Sequence, residues 1–292
     1  MEGKSVCVMD ASGPLGHAIV DRLLRRGYTV HAATYPQSES EYGDGQPRLK
    51  VFRADPLDYH AIADAVHGCS GLFAIFNNTC SSLEDEEEMV EAEVRAAHNI
   101  LEACAQTETM ERVVFNSSVT AVVWRPPQPE EEDDDDDDNT TASASPLWHA
   151  LAKTLSEKTA WALAMDRGVD MVAINGGLLT GPGLTAAHPY LKGAPDMYDH
   201  GVLVTVDVDF LADAHVAAYE CPTAYGRYLC FNNAVCRPED AAKLAQMLIS
   251  PSSPRTPPPP SDELKVIPQM IHTNKLNKLM LEFTSGIYGD IN

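Results

Sequence analysis

The sequence predicts an α/β fold built on a doubly wound parallel sheet, with helices on both faces. Three observations predict it. Short runs rich in Val, Ile and Phe alternate with stretches of helical periodicity through the first 175 residues. These runs are rich in Val, Ile and Phe and separated by helices, as in a parallel sheet covered on both faces. The first of them also feeds into a helix through a turn containing glycine, DASGPLGHA at 10–18.

In chain order, VCVM (6–9) is the first strand and PLGHAIVDRLLRRG (14–27) the first helix. Pro14 suits a first helical turn and Gly27 a helix end. Leu15, Ile19 and Leu23 recur every fourth residue and give that helix one apolar face. YTVHAAT (28–34) and LKVFR (49–53) are the second and third strands, followed by a helix over 58–67 and the strand GLFAIF (71–76). A long helix is predicted over 86–105, then the strand RVVFN (112–116), a helix over 148–166 and the strand VDMVAIN (169–175). Residues 1–182 form the expected dinucleotide-binding unit. Residues 183–292 form mainly a smaller substrate-side region, returning to the core sheet near 201–232. Two segments fall outside the pattern: the low-complexity, charged stretch 126–146, expected to be a disordered loop, and the proline-rich loop 251–263.

The chain has 292 residues, 44% of them hydrophobic, which suffices for a sizeable core. Its net charge is −22, and nine consecutive acids, EEEDDDDDD at 130–138, carry much of it; the rest stays acidic. That balance argues against nucleic acid or an anionic membrane as partner, while leaving the acidic loop as a surface for a basic protein. No apolar run reaches membrane-spanning length, and the first residues have no signal-peptide layout, so a cytoplasmic protein is expected. The seven cysteines are dispersed, without paired spacing, and suggest free thiols in a reducing compartment; no metal site is expected.

The turn after the first strand carries the first chemistry. Glycines there allow a tight bend and close approach of backbone N–H groups to a pyrophosphate, and the helix N-terminus favours negative charge. Gly13 and Gly16 are spaced as the last two glycines of such a loop, but Asp10 stands where the first would be. A carboxylate about 5 Å from a phosphate costs roughly 3 kcal/mol at an effective dielectric of about 20, if it points inward. Asp10, Ser12, Gly13, Leu15 and Gly16 are therefore the candidate loop contacts. Tyr35 lies at the end of the second strand, where an acid would mark NAD and an arginine NADP. Asp55, after the third strand, has two readings: acceptor for an adenine amino group, or a turn residue, with Asp58 capping the next helix.

These motifs join with NILEACAQ (99–106), ERVVFNSSVTAVVW (111–124), ALAKTLSEKTAWALA (150–164), INGGLLTGP (174–182), VDVDFLADAHVAAYE (206–220) and GRYLCFN (226–232). Together they resemble the extended short-chain dehydrogenases/reductases of Rossmann type, and within them the plant cinnamoyl-CoA reductase and dihydroflavonol reductase group. The resemblance implies NADPH-dependent reduction of a small-molecule carbonyl or thioester, with NAD not excluded. A Ser and a Tyr would hydrogen-bond the carbonyl oxygen, and a Lys would hold the ribose. Ser118, with Ser117 beside it, falls at the Ser position and Lys153 at the Lys position. His149 falls at the Tyr position, in LWHALAK at 147–153, and none of the ten tyrosines has Lys four residues later. Gly176 replaces a proline of the family, and Tyr35 an arginine.

His149 and Lys153 share a helix face at this spacing, and the ammonium keeps the imidazole neutral. The alternatives are a weak donor in an altered reductase or a groove histidine without a catalytic role. Lys153 is either a ribose ligand or an ordinary helix lysine, and the two serines either face substrate or merely end a strand. Three functions follow: a weak reductase working through Ser118, His149 and Lys153; a catalytically silent dinucleotide sensor or scaffold; and a fold kept for interaction through the acidic loop.

Overall fold

The computed structural model describes residues 3–35, 46–75, 86–124, 147–181, 184–248 and 266–289. The acidic loop 126–146, the proline-rich loop 251–263, Phe76, Cys80 and Pro182 lie outside these. The elements are β1 (Ser5–Met9), α1 (Pro14–Arg25), β2 (Thr29–Thr34), β3 (Leu49–Arg53), α2 (Tyr59–Val66), β4 (Gly71–Ala74), α3 (Glu86–Ala105), β5 (Arg112–Ser118), α4 (Thr120–Val123), α5 (Trp148–Arg167), β6 (Met171–Gly176) and β7 (Leu178–Thr180). A 3-10 turn, Pro189–Gly193, leads into α6 (Ala194–Asp199), β8 (Val204–Asp207), α7 (Val208–Glu220), β9 (Gly226–Cys230), β10 (Asn233–Ala234), α8 (Pro238–Leu248) and α9 (Asn274–Gly289).

Seven strands form one parallel sheet in the order β3-β2-β1-β4-β5-β6-β9. One face is sealed by Leu15, Ile19 and Leu23 of α1 with α7 and α9, and the other by α2, α3 and α5. This is the doubly wound layering that the apolar strand runs predicted: the inner strands are buried on both faces, and the edge strand β3 is partly exposed. The chain order reverses between β1 and β4, so a crevice opens there at the carboxyl ends of the strands, where such sheets bind ligands. A smaller sheet, β10-β8-β7, stands beside it. With the 3-10 turn and α6 it builds a separate apolar cluster around Leu178, Tyr190, Met197 and Leu203.

β5 runs two residues past the apolar stretch that predicted it. Ser117 and Ser118 stay in register with Asn175 and Gly176 of β6. Polarity alone would end a strand here, but both hydroxyls find buried partners, described below, so extending the strand leaves no polar group stranded. Asp58 is the N-cap of α2, accepting from the N–H groups of His60 and Ala61. Arg112, buried at the other end of β5, donates to the carbonyls of Ala218 and Cys221 and so satisfies the end of α7.

Candidate active site

The loop after β1 keeps the geometry of a phosphate-binding turn. Asp10 has φ 53°, the left-handed region usually left to glycine. The Gly13 N–H donates to the Asp10 carbonyl at 3.2 Å, and Gly13 is the N-cap of α1, ahead of Pro14. A β-carbon on Gly16 would lie 2.1 Å from the Asp10 carbonyl oxygen, so only glycine allows the helix to pack this close to the turn. The backbone therefore fits a dinucleotide's pyrophosphate. The Asp10 side chain opposes it: it is 3% exposed, accepts from the Ser12 hydroxyl at 3.3 Å, and lies with Oδ2 3.2 Å from where a Gly13 β-carbon would be. The carboxylate is folded over the loop rather than turned to solvent.

Beyond the loop, Leu15 lines a cavity of about 570 Å³. Ser118 of β5, His149 and Lys153 of α5, and Gly176 at the end of β6 line the same cavity. α5 starts at Trp148, so His149 and Lys153 sit on its first two turns and face the crevice together. The two serines separate cleanly. Ser117 donates its proton to Glu157 Oε2 at 2.6 Å and is committed there. Ser118 Oγ instead accepts from the Thr120 N–H at 3.2 Å and from the Thr120 hydroxyl at 2.9 Å. With its lone pairs engaged, Ser118 keeps its own proton for an acceptor in the cavity.

His149 shows partial solvent exposure, yet the cavity walls enclose it. That enclosure, more than the nearby Lys153 ammonium and then His188, pushes its pKa down to about 3. The imidazole is neutral at pH 7, and burial is the larger cause, which helix spacing alone did not reveal. Lys153 is itself buried and forms an ion pair with Glu93 of α3, Nζ to Oε1 at 2.9 Å; the same oxygen accepts from the Ser156 hydroxyl at 3.0 Å.

Space also brings together residues that sequence spacing kept apart. The rings of His188 and Tyr190 each lie 6.1 Å from that of His149. Tyr190 is no substitute for the missing tyrosine: its hydroxyl donates to the Val204 carbonyl at 3.3 Å, and burial pushes its pKa up. His188 Nδ1 accepts from the Tyr190 N–H at 3.2 Å, and burial, then Lys153, pushes its pKa down. Glu157, 1% exposed on its side chain, is a hub. It accepts from Ser117, from Asn175 at 2.7 Å, from Trp161 at 3.2 Å and from Arg227. Gly176, at the family's proline position, faces Leu211, whose Cδ1 is 3.3 Å from where a β-carbon would be.

Tyr35 directly follows β2, and the Asp55 carboxylate accepts from the Leu57 N–H at 2.8 Å, as the turn reading of that residue expects. Glu93, Glu157, His188 and Tyr190 were missed in the sequence. Glu93 and Glu157 did leave a signal: each is an acid on the buried face of its helix. His188 left none, because its segment has no periodicity. Among the described residues no three His, Cys, Asp or Glu side chains gather as metal ligands, and no helix is long and apolar enough to cross a membrane.

A nucleotide-type loop and a reductase-type cleft on one doubly wound sheet define an NAD(P)-dependent oxidoreductase class. The chain belongs to the NAD dependent epimerase/dehydratase family, which it matches over residues 6–197. It is 33% identical to cinnamoyl-CoA reductase 1 of Petunia hybrida, over 97% of this chain and 89% of that one. It is 34% identical to cinnamoyl-CoA reductase 2 of Arabidopsis thaliana over the same shares. Among solved structures it resembles vestitone reductase from alfalfa (Medicago sativa), with TM-score 0.64 and 24% identity over 94% of this chain and 91% of that one. Yeast methylglyoxal/isovaleraldehyde reductase complexed with NADPH has the same fold, with TM-score 0.66 and 17% identity over 94% and 92%.

Proposed function

We propose that the chain is a cinnamoyl-CoA reductase-like, NADP-dependent reductase of an uncharged phenylpropanoid-type carbonyl, working slowly because His149 replaces the tyrosine acid. The observation that carries this reading is the convergence of Ser118, His149 and Lys153 on one cavity. Gly13, Gly16 and the α1 N-terminus would hold the pyrophosphate, with Lys153 at the ribose. When bound, the reduced nicotinamide supplies hydride to the carbonyl carbon. Negative charge then develops on oxygen, and Ser118 and His149 stabilise it as two neutral hydrogen-bond donors. A neutral imidazole is a poor acid, so the final proton comes from water, and loss of a general acid typically costs about 10²- to 10⁴-fold.

The wall charges favour an uncharged substrate. Glu86 and Glu93 are matched by Lys192 and Lys153, and both histidines beside them are neutral. A CoA thioester would bring its phosphates to a chain of net charge −22. A second reading, a catalytically silent dinucleotide sensor or scaffold in the cytoplasm, is favoured by His149 in place of the tyrosine acid, and its scaffold form also by the Asp10 carboxylate over the loop. Titration with NADPH and NADH, followed by turnover with cinnamaldehyde and cinnamoyl-CoA, separates them. Slow aldehyde reduction supports the reductase. Cofactor binding without turnover supports the sensor, and no binding at millimolar cofactor overturns reductase and sensor alike and leaves the scaffold.

A further inference from the structure

We infer that His188 is a specificity-determining residue of this cavity. Its Nε2–H is a third hydrogen-bond donor, selecting uncharged carbonyl compounds that carry a second oxygen on a carbon close to the carbonyl. The inference rests on the carbonyl-binding reading above and extends it to a residue from outside the Ser118–His149–Lys153 set.

The tautomer is fixed by the backbone. His188 precedes the Pro189–Gly193 turn as its N-cap, and its Nδ1 accepts from the Tyr190 N–H at 3.2 Å. A nitrogen that accepts from an amide carries no proton, so in the neutral ring the proton is on Nε2. Neutrality follows from the surroundings: the ring is partly buried, and Lys153 disfavours a second cation. His188 lines the cavity, and Nε2–H is the polar atom that the cap leaves over.

The count of donors then says something about the ligand. Ser118 and His149 suffice for one carbonyl oxygen. A third N–H that a bound ligand covers needs an acceptor on that ligand, or desolvating it costs more than it returns. The His149 and His188 ring centroids are 6.1 Å apart at an interplanar angle of 70°. One compact ligand can touch two rings this close, so an oxygen on a carbon near the carbonyl can meet the second donor while the carbonyl oxygen meets the first. A hydroxyl beside the carbonyl meets this; a carboxylate or phosphate does not suit a wall whose lysines are already paired with Glu86 and Glu93.

The test is ligand-observed NMR titration of the full chain with propiophenone and α-hydroxypropiophenone, which differ only in the second oxygen. The wild-type chain is expected to bind the hydroxyketone about five- to tenfold more tightly, the worth of one added hydrogen bond. His188→Asn keeps an oxygen for the Tyr190 cap, but its short amide does not reach the ligand, so the preference should fall to within twofold. His188→Phe keeps the ring volume and removes cap and donor together, with the same expected loss; thermal melting reports whether it folds, and the Asn variant decides if it does not. Equal binding of the two ketones by wild type, or a preference that survives in His188→Asn, overturns the inference while leaving the carbonyl site standing. Binding of neither ketone overturns both.

Discussion

Replacing Asp10 should restore cofactor affinity, and the size of the effect follows from where its carboxylate lies. Oδ2 is 3.2 Å from the β-carbon position of Gly13, the residue whose bare backbone a pyrophosphate approaches. A phosphate charge seated there is about 5 Å from the carboxylate, and at an effective dielectric of about 20 the repulsion is roughly 3 kcal/mol. That corresponds to about two decades in Kd. Asp10→Gly removes both the charge and the side chain, and Asp10→Asn removes the charge at nearly constant volume. Calorimetric titration with NADPH should show both variants binding about 100-fold more tightly than wild type. If only the glycine variant gains, the obstruction is steric. Because Asp10 has φ 53°, glycine takes its backbone conformation without strain, and the glycine variant should unfold within about 1 kcal/mol of wild type. If neither variant binds NADPH more tightly than wild type, the carboxylate does not oppose the phosphates and the reasoning fails.

His149→Tyr should raise aldehyde turnover with NADPH by up to about 10²- to 10⁴-fold in an Asp10→Gly background; no gain would place the remaining defect in the cleft itself. Glu93→Ala should destabilise the chain by about 3–5 kcal/mol in urea unfolding, because it leaves the Lys153 ammonium buried without its carboxylate. Acid should also weaken the fold through its buried histidines. His215, fully buried, has its pKa pushed down to about 4 by burial, and His149 is at about 3. A folded pKa below the unfolded one, about 6.5, means the neutral form is favoured in the fold. The stability is whole above pH 6.5 and is lost as pH falls toward 4, at up to about 1.4 kcal/mol per pH unit for each histidine. His215→Leu should flatten that decline in urea midpoints measured between pH 7 and 4.5, and an unchanged slope would count against it.

The layering was legible because it depends on periodicity, which is local. The end of α3 at Ala105 was predicted, as was β3 at Leu49–Arg53. The last two residues of β5 were not, because Ser117 and Ser118 look like a strand end until Glu157 and Thr120 are seen to satisfy them. The site was half legible. Ser118, His149 and Lys153 could be placed by their order in the chain, but which of the two cavity-lining serines keeps its proton free depends on Glu157, forty residues from Ser117. The neutrality of His149 was expected from Lys153 one helical turn along, yet burial contributes more, and burial is set by elements distant in sequence. Tyr190 shows the limit of a spacing argument in both directions. No spacing rule would bring it to the His149 ring, and proximity alone would have promoted it to an acid, which its bond to the Val204 carbonyl forbids.

The departures at His149 and Gly176 fall on one cavity, whose charge is balanced from within the fold. The wall at the end of β6 closes in: Gly176 has no ring to offer, and Leu211 packs against the space a side chain would take. The Lys153 ammonium is matched by Glu93, so the charge beside the reacting oxygen is balanced from within the fold. An ionisable phenol beside a free ammonium gives a reductase its acid; a neutral imidazole beside a paired ammonium gives a hydrogen-bonding surface of low net charge. A single reversion at His149 therefore restores the donor but not its electrostatic setting. Glu93 cannot be removed to supply that setting without taking from the buried Lys153 ammonium its paired carboxylate. The ordering of variants follows from this: Asp10→Gly acts alone on cofactor affinity, whereas His149→Tyr reaches its full effect only when the Lys153–Glu93 pair can shift toward the new phenol.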